Sequence, residues 1–316
     1  MIKIYVAGHT GMVGSSILKR LSGSKKFKLI KATRAKLNLL NYTKTFKFIK
    51  KNKPDLVIIC AAKVGGILKN MNYPADFYLE NISIQNNLIK SCHENNIKNL
   101  IFLGSSCIYP KNSKQPMKEE YLLSGKLEPT NEAYALAKIC GIKYCEYLNK
   151  QYNRNYLSLM PCNLYGSNDN FNIQTSHFIP GLINKLHHAK INKLKEIEIF
   201  GTGKPKREIL HVDDLSNAVY KIISLLMQDD KKLNKIIKNY NFINIGSGKD
   251  YTIKQYAIML RKIMNIDVKF KYNKKYPDGM ARKLLDIKNI KSLGWKPKVN
   301  FYIGALKTYE WYKKNV

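Results

Sequence analysis

Seven residues near the start of the chain constrain its fold more than anything else in it. Gly8-His9-Thr10-Gly11-Met12-Val13-Gly14 is a G-x-x-G-x-x-G run that follows a short apolar stretch, Ile2–Ala7, and opens a helical pattern. A strand that turns on glycine straight into a helix brings backbone close to a phosphate group. The helix N-terminus then supplies N–H groups and the positive end of a dipole. Glycines also make plain turns, so the run is weak by itself. Its place between a first strand and a helix makes a dinucleotide the expected ligand.

The rest of the first half continues that rhythm. Candidate strands at residues 28–33, 56–60, 100–103 and 156–160 alternate with helical patterns at 11–21, 42–51, 75–95 and 132–152. Such alternation predicts an α/β fold, a Rossmann-type doubly wound parallel sheet with helices on both faces. After residue 165 the loops lengthen and glycine and proline punctuate the chain. Helical patterns persist near 213–227, 252–264 and 301–313, and Lys185 to Lys195 reads as a solvated helix with its loop. We expect residues 1–165 to form the dinucleotide-binding domain and 166–316 mainly a smaller α/β substrate-binding domain. A segment near 207–227 is expected to return to the first.

Composition bounds the class. A chain of 316 residues with 45% apolar content can bury a sizeable core, which excludes disorder. No apolar run approaches the roughly 18 residues of a membrane span. The first residues read as a strand rather than a signal peptide. Six cysteines without a C-x-x-C pair argue against a zinc ribbon and against a disulfide framework. A reduced, cytoplasmic protein with no bound metal is expected.

The second candidate strand ends at Thr33-Arg34-Ala35-Lys36, with no acid. An acid there suits a ribose 2′-hydroxyl and a cation suits a 2′-phosphate, so Arg34 favours NADP(H). Tyr134-Ala135-Leu136-Ala137-Lys138 is Y-x-x-x-K within a helical stretch, which places Tyr134 and Lys138 on one face. A lysine cation beside a phenol lowers its pKa and makes it a usable proton donor to a carbonyl. Upstream, Gly104-Ser105-Ser106-Cys107-Ile108-Tyr109-Pro110 follows the fourth strand, at the carboxyl edge where open sheets bind ligands. An extended backbone there would point Ser105 and Cys107 the same way. Cys60, Cys92, Cys140, Cys145 and Cys162 read as core or near-core thiols.

Glycine run, serine and Y-x-x-x-K in this order resemble the extended short-chain dehydrogenase/reductase family. Within it the chain is similar to the epimerase-reductases acting on GDP-4-keto-6-deoxy-mannose. The likeness runs nearly end to end. It includes Ala61-Ala62-Lys63-Val64-Gly65-Gly66-Ile67, Leu103 through Pro110, Leu127-Glu128-Pro129-Thr130-Asn131-Glu132, Pro161-Cys162-Asn163-Leu164-Tyr165-Gly166 and Arg207-Glu208-Ile209-Leu210-His211-Val212-Asp213-Asp214.

That resemblance implies two chemistries in one site: proton exchange at C3 and C5 of the sugar, then hydride addition at C4. It implies Cys107 as base and His177 as acid, with Tyr134, Ser105 and Lys138 serving reduction, and Lys138 among the cations easing thiol ionisation. It places Gly8, Thr10, Gly11, Met12, Val13, Gly14, Arg34, Leu103, Ser105, Lys138, Pro161, Asn163, Leu164 and His177 around the cofactor. It places Lys185, Phe200, Arg207, Asp278 and Lys283 around the GDP-sugar. Phe200 stands where many relatives carry tryptophan, and Thr10 and Lys185 replace arginines of some bacterial members. A homodimer is also implied.

The formal charge of +33 invites a nucleic-acid reading. The lysines, however, spread from Lys3 to Lys314 without the usual binding motifs, as AT-biased codon usage would place them. We expect no specific nucleic-acid partner and no membrane. A basic surface still attracts an anionic nucleotide sugar. Three alternatives stay open: a related heptose or dideoxy substrate, a C4 reductase that leaves epimerisation to a partner enzyme, and a non-catalytic binding protein.

Overall fold

The computed structural model describes residues 1–173 and 175–316. The first half lays down β1 (Ile2–Ala7), α1 (Met12–Ser22), β2 (Phe27–Ile30), α2 (Tyr42–Asn52), β3 (Leu56–Ile59), α3 (Ile67–Asn72), α4 (Pro74–Glu94), β4 (Asn99–Leu103), α5 (Glu132–Tyr152) and β5 (Asn155–Pro161). The second half adds β6 (Asn163–Tyr165), α6 (Phe178–Ile191), β7 (Glu196–Phe200), β8 (Lys206–His211), α7 (Val212–Met227), α8 (Lys231–Tyr240) and β9 (Phe242–Ile245). It ends with β10 (Asp250–Thr252), α9 (Ile253–Ile263), β11 (Lys269–Asn273), β12 (Arg282–Lys283), α10 (Lys288–Ser292) and α11 (Phe301–Asn315).

The main sheet is parallel, with strand order β2-β1-β3-β4-β5-β9. This is the doubly wound α/β arrangement. The order reverses between β1 and β3, and such a switch point leaves a crevice at the strands' carboxyl ends. All four residues of β3 are buried, because helices cover both faces and no position turns to water. β2 stops at Ile30 rather than running to residue 33, since its ladder with β1 ends at the Tyr5–Ile30 pair.

The sequence reading gave this sheet five strands, and the sixth is a correction. β9 lies beside β5, with Ser158 opposite Phe242 and Pro161 opposite Ile245. It joins the main core together with α7, whose helix packs on α1. A second core forms around Tyr165, Ile183, Leu186, Tyr256, Leu260 and Tyr309. Around it β8 pairs with β6, β10 and β12, while β7 pairs with β11. No helix among the described residues is long and apolar enough to cross a membrane.

Glu208 ties three segments of the second half together near the crevice. Its carboxylate accepts the N–H of Gly248 at 2.6 Å and that of Leu285 at 2.8 Å. Burial pushes this carboxyl up to about 7, against the pull of those N–H groups. The clamp fixes the strands that carry Arg207 and Lys283.

Candidate active site

The carboxyl ends of β1, β3, β4 and β5 open into a cavity of about 620 Å³, within the size range of a small-molecule site. The glycine run forms one wall. Gly8 has φ +82°, and a Cβ on it would sit 2.6 Å from the Ala61 nitrogen. A Cβ on Gly14 would sit 2.2 Å from the Gly8 carbonyl oxygen. Only glycine permits this close turn. Gly11 is the N-cap of α1 and makes no side-chain cap, so the first-turn N–H groups are left for an anion. Thr10, Met12, Val13 and Arg34 line the same end. This cradle fits a dinucleotide pyrophosphate.

The chemical groups stand at the far end. Ser105 is extended (φ −162°, ψ 151°), but residues Ser106–Ile108 form a 3₁₀ turn. The extended run that would align Ser105 with Cys107 is therefore absent. Ser105 and Cys107 still face one cavity, because the Ser105 Oγ accepts the Cys107 N–H at 3.3 Å and caps the turn.

Cys107 Sγ accepts from Asn131 Nδ2 at 3.3 Å and from Lys283 Nζ at 3.5 Å. The cation at the thiol is thus Lys283 rather than Lys138. Lys138 instead lies buried and donates to the Leu103 carbonyl at 2.9 Å, with its Nζ 5.7 Å from the Tyr134 ring centre. Burial lowers the Lys138 ammonium to about 8, with the nearby Cys60 opposing.

Tyr134 departs from the sequence reading. Burial raises its phenol well above the ordinary value, and Cys107 raises it further, so the neighbouring lysine does not win in this arrangement. The phenol therefore holds its proton. His177, the N-cap residue of α6, opens onto the cavity while protein packs around its ring. That burial, helped by the Lys283 charge, holds the imidazole below its usual range.

Arg207 is buried in the wall, and its guanidinium donates to three carbonyls: Lys206 at 2.9 Å, Met280 at 2.6 Å and Asp278 at 2.9 Å. Burial lowers it, with Asp278, Cys107 and Glu128 opposing. Among the described residues none of its hydrogen bonds goes to a carboxylate. A phosphate is a suitable partner for such a fork.

Leu103, Pro161, Asn163 and Leu164 also line the cavity, as do Lys283 and Arg207. Lys185, Phe200 and Asp278 stand apart from its lining. Lys185 Nζ lies 4.1 Å from the Phe200 ring centre, and Phe200 stacks on Tyr276 at 3.9 Å. The Asp278 carboxylate is taken up by Thr202, through its N–H at 2.8 Å and its hydroxyl at 2.7 Å. Asp278 reaches the site through the carbonyl that holds Arg207 and through its charge on that guanidinium.

One cysteine differs from the sequence reading: Cys140 is exposed on the outer face of α5. Cys60 is near-core, packed against the main hydrophobic cluster while bordering the cavity beside Lys138, and burial pushes its thiol up to about 12. Sequence reasoning also missed Asn131 as a partner of the thiol. Its place three residues before Tyr134, in the stretch of residues 127–132, was the available signal. Among the described residues no His, Cys, Asp and Glu group could hold a metal ion.

Fold and site together define an extended short-chain dehydrogenase/reductase. Residues 4–241 match the NAD dependent epimerase/dehydratase family, and the chain belongs to that family. It is 43% identical over 313 residues to GDP-L-fucose synthase of Escherichia coli strain K12, covering 99% of this chain and 97% of that one. Among solved structures it resembles a GDP-6-OMe-4-keto-L-xylo-heptose reductase from C. jejuni, with a TM-score of 0.91, 36% identity, and coverage of 100% and 98%. A GDP-mannoheptose C4 reductase from Campylobacter jejuni with NADP bound gives 0.87 at 38% identity, covering 99% and 98%.

Proposed function

We propose that this protein is a GDP-L-fucose synthase, an NADPH-dependent enzyme that epimerises GDP-4-keto-6-deoxy-D-mannose at C3 and C5 and reduces it at C4. The observation that carries the reading is the convergence of Ser105, Cys107, Tyr134, Lys138 and His177 on one cavity behind the glycine turn. A binding protein has no need of that set.

The sugar's C4 ketone acidifies the protons on C3 and C5. Cys107 takes such a proton as thiolate, with Lys283 and Asn131 beside the sulfur to stabilise the charge. His177 returns a proton from the opposite face, and inversion follows. Two groups of moderate pKa are what this exchange needs. Ser105 holds the ketone oxygen by a hydrogen bond. Bound NADPH supplies the hydride for C4. Tyr134 gives its phenolic proton to the C4 oxygen, and Lys138 fixes the cofactor ribose. Arg34 selects the 2′-phosphate, and Arg207 binds the diphosphate of the GDP-sugar.

Lys185, Phe200 and Asp278 belong to the rim in this reading, shaping the entry for the nucleotide rather than contacting the reacting carbons. We also take the protein to be cytoplasmic and a homodimer. The outer faces of α4 and α5 support the latter, since Leu79, Tyr147 and Tyr152 are exposed there.

The heptose reductases among the structural relatives keep a second reading alive, in which the site reduces a heptose. Incubation with NADPH and either GDP-4-keto-6-deoxy-mannose or its heptose analogue separates the two. GDP-L-fucose formed from the first at the higher kcat/KM supports the proposal. Turnover of the heptose alone would replace it.

A further inference from the structure

Asp169 lies on the segment after β6, and the chemistry above gives it no role. It borders the ligand cavity. Its Oδ1 accepts the N–H of Asn170 at 2.7 Å, while its Oδ2 is shielded from water and has no hydrogen-bond partner. Buried polar atoms in native proteins are nearly always paired, so a bare carboxyl oxygen on a cavity wall points to a ligand.

The neighbouring residues fix where this carboxyl stands. Asn168 donates to the Thr10 carbonyl at 2.8 Å and to Ser15 Oγ at 3.3 Å, which ties the segment to the glycine run and to α1. On the other flank, Asn170 donates to Thr175 Oγ1 at 2.9 Å. Phe171 is buried against Trp311 and Tyr312, with ring centres 5.9 and 4.8 Å away. Anchored on both sides, Asp169 is stationed beside the phosphate-binding turn.

The surrounding charge decides what it can bind. The titratable groups on the elements around it are His9 on the glycine run, Lys19 and Arg20 on α1, His177 at the N-cap of α6 with Lys185, His187, His188 and Lys190 on that helix, Tyr302, Lys307, Tyr309, Glu310, Tyr312, Lys313 and Lys314 on α11, and Lys283 across the cavity. None of them forms a hydrogen bond or ion pair with Asp169 among the described residues. Burial pushes the carboxyl up to about 7, and only the Asn170 N–H opposes it. A carboxylate at this place would repel an incoming pyrophosphate. A carboxylic acid would instead have a proton to give, and the pyrophosphate oxygens are acceptors.

We propose that Asp169 is a further cofactor-binding residue, which in its protonated form donates a hydrogen bond from Oδ2 to the pyrophosphate of the dinucleotide held at the glycine turn. This rests on the dinucleotide reading of that turn. The GDP-sugar carries the same pyrophosphate chemistry, and the tie to Thr10 assigns the contact to the dinucleotide.

The test is the affinity of wild type, Asp169→Asn and Asp169→Leu for NADP⁺ and, separately, for GDP, by titration calorimetry at pH 6.5 and 8.5. Asparagine keeps a donor and cannot ionise; leucine offers neither. At pH 6.5 Asp169→Asn should bind NADP⁺ like wild type, and Asp169→Leu about tenfold or more weakly. From pH 6.5 to 8.5 wild type should lose up to about 25-fold relative to Asp169→Asn, because binding must then place a proton on a group that titrates near 7. GDP affinity should be alike in all three. Equal NADP⁺ affinity in all three at both pH values would overturn the proposal. A wild type that gains on Asp169→Asn as pH rises would do so too, since the carboxylate would then be accepting from a hydroxyl. A loss confined to GDP would move the contact to the other ligand. Should Asp169→Leu fail to fold, the pH comparison with Asp169→Asn decides alone. Wild type binding no NADP⁺ at all would instead remove the dinucleotide reading.

Discussion

Gly14→Ala should cost both stability and cofactor affinity. The added Cβ would stand 2.2 Å from the Gly8 carbonyl oxygen, 2.7 Å from the His9 Cα and 2.8 Å from the Gly8 carbonyl carbon. Each gap is roughly 1 Å short of a normal contact. The obstructing atoms are backbone, so no rotamer change relieves the clash and α1 must move away from the turn. Overpacking of this kind costs typically about 1–3 kcal/mol, and a backbone clash belongs at the upper end. A loss of about 3 kcal/mol would lower Tm by roughly 4–5 °C for a chain of this size. A shift of ~1 Å would also break one or two charge-assisted N–H bonds to the pyrophosphate, at about 1.5–3 kcal/mol each. NADPH affinity should then fall about tenfold for one bond lost at the low end, and up to about 10⁴-fold for two lost at the high end. Gly23→Ala is the control, because the nearest atom to its Cβ is 3.9 Å away and its φ is −70°. That variant should melt at or slightly above the wild-type temperature. Thermal melts and NADPH fluorescence titration read both effects. Wild-type Tm and Kd in Gly14→Ala would refute the reasoning about the turn.

Three further outcomes follow from the site. Tyr134→Phe should slow reduction about 10²- to 10⁴-fold, the usual loss of a positioned proton donor, while solvent exchange at C3 and C5 continues in the NMR spectrum. Lys138, lowered by burial to about 8, is charged below that pH and neutral above it, so kcat/KM for reduction should hold to about pH 8 and then decline. A profile flat to pH 10 would remove the ammonium from the mechanism. Arg34→Leu should weaken NADPH roughly 10- to 100-fold in a fluorescence titration and leave NADH unchanged, since only NADPH carries the 2′-phosphate.

Local patterns carried the first half of the fold. The α/β alternation and the glycine turn are written in neighbouring residues, and so the strands from β1 to β5 could be read directly. β9 escaped because it is four residues long and lies between the lysine-rich α8 and a glycine turn. Nothing in that window shows it crossing back to lie beside β5. The residues that meet in the cavity were legible through motif and resemblance, whereas their electrostatics were not. Lys283 comes to the Cys107 sulfur from 176 residues away, by way of a two-residue strand held by Glu208. The Y-x-x-x-K spacing puts Lys138 near Tyr134, but it says nothing of the burial that raises the phenol. Lys185 and Phe200 pair with each other beside the cavity, a packing choice between α6 and β7 that no spacing encodes.

The central claim is that one site both exchanges protons beside the ketone and reduces it. Conversion of GDP-4-keto-6-deoxy-mannose with NADPH in deuterated water, followed by NMR of the product, tests it most directly. The account predicts a galacto-configured product with deuterium at C3 and C5, and loss of that deuterium in Cys107→Ala. A product reduced at C4 without deuterium at either carbon would contradict it.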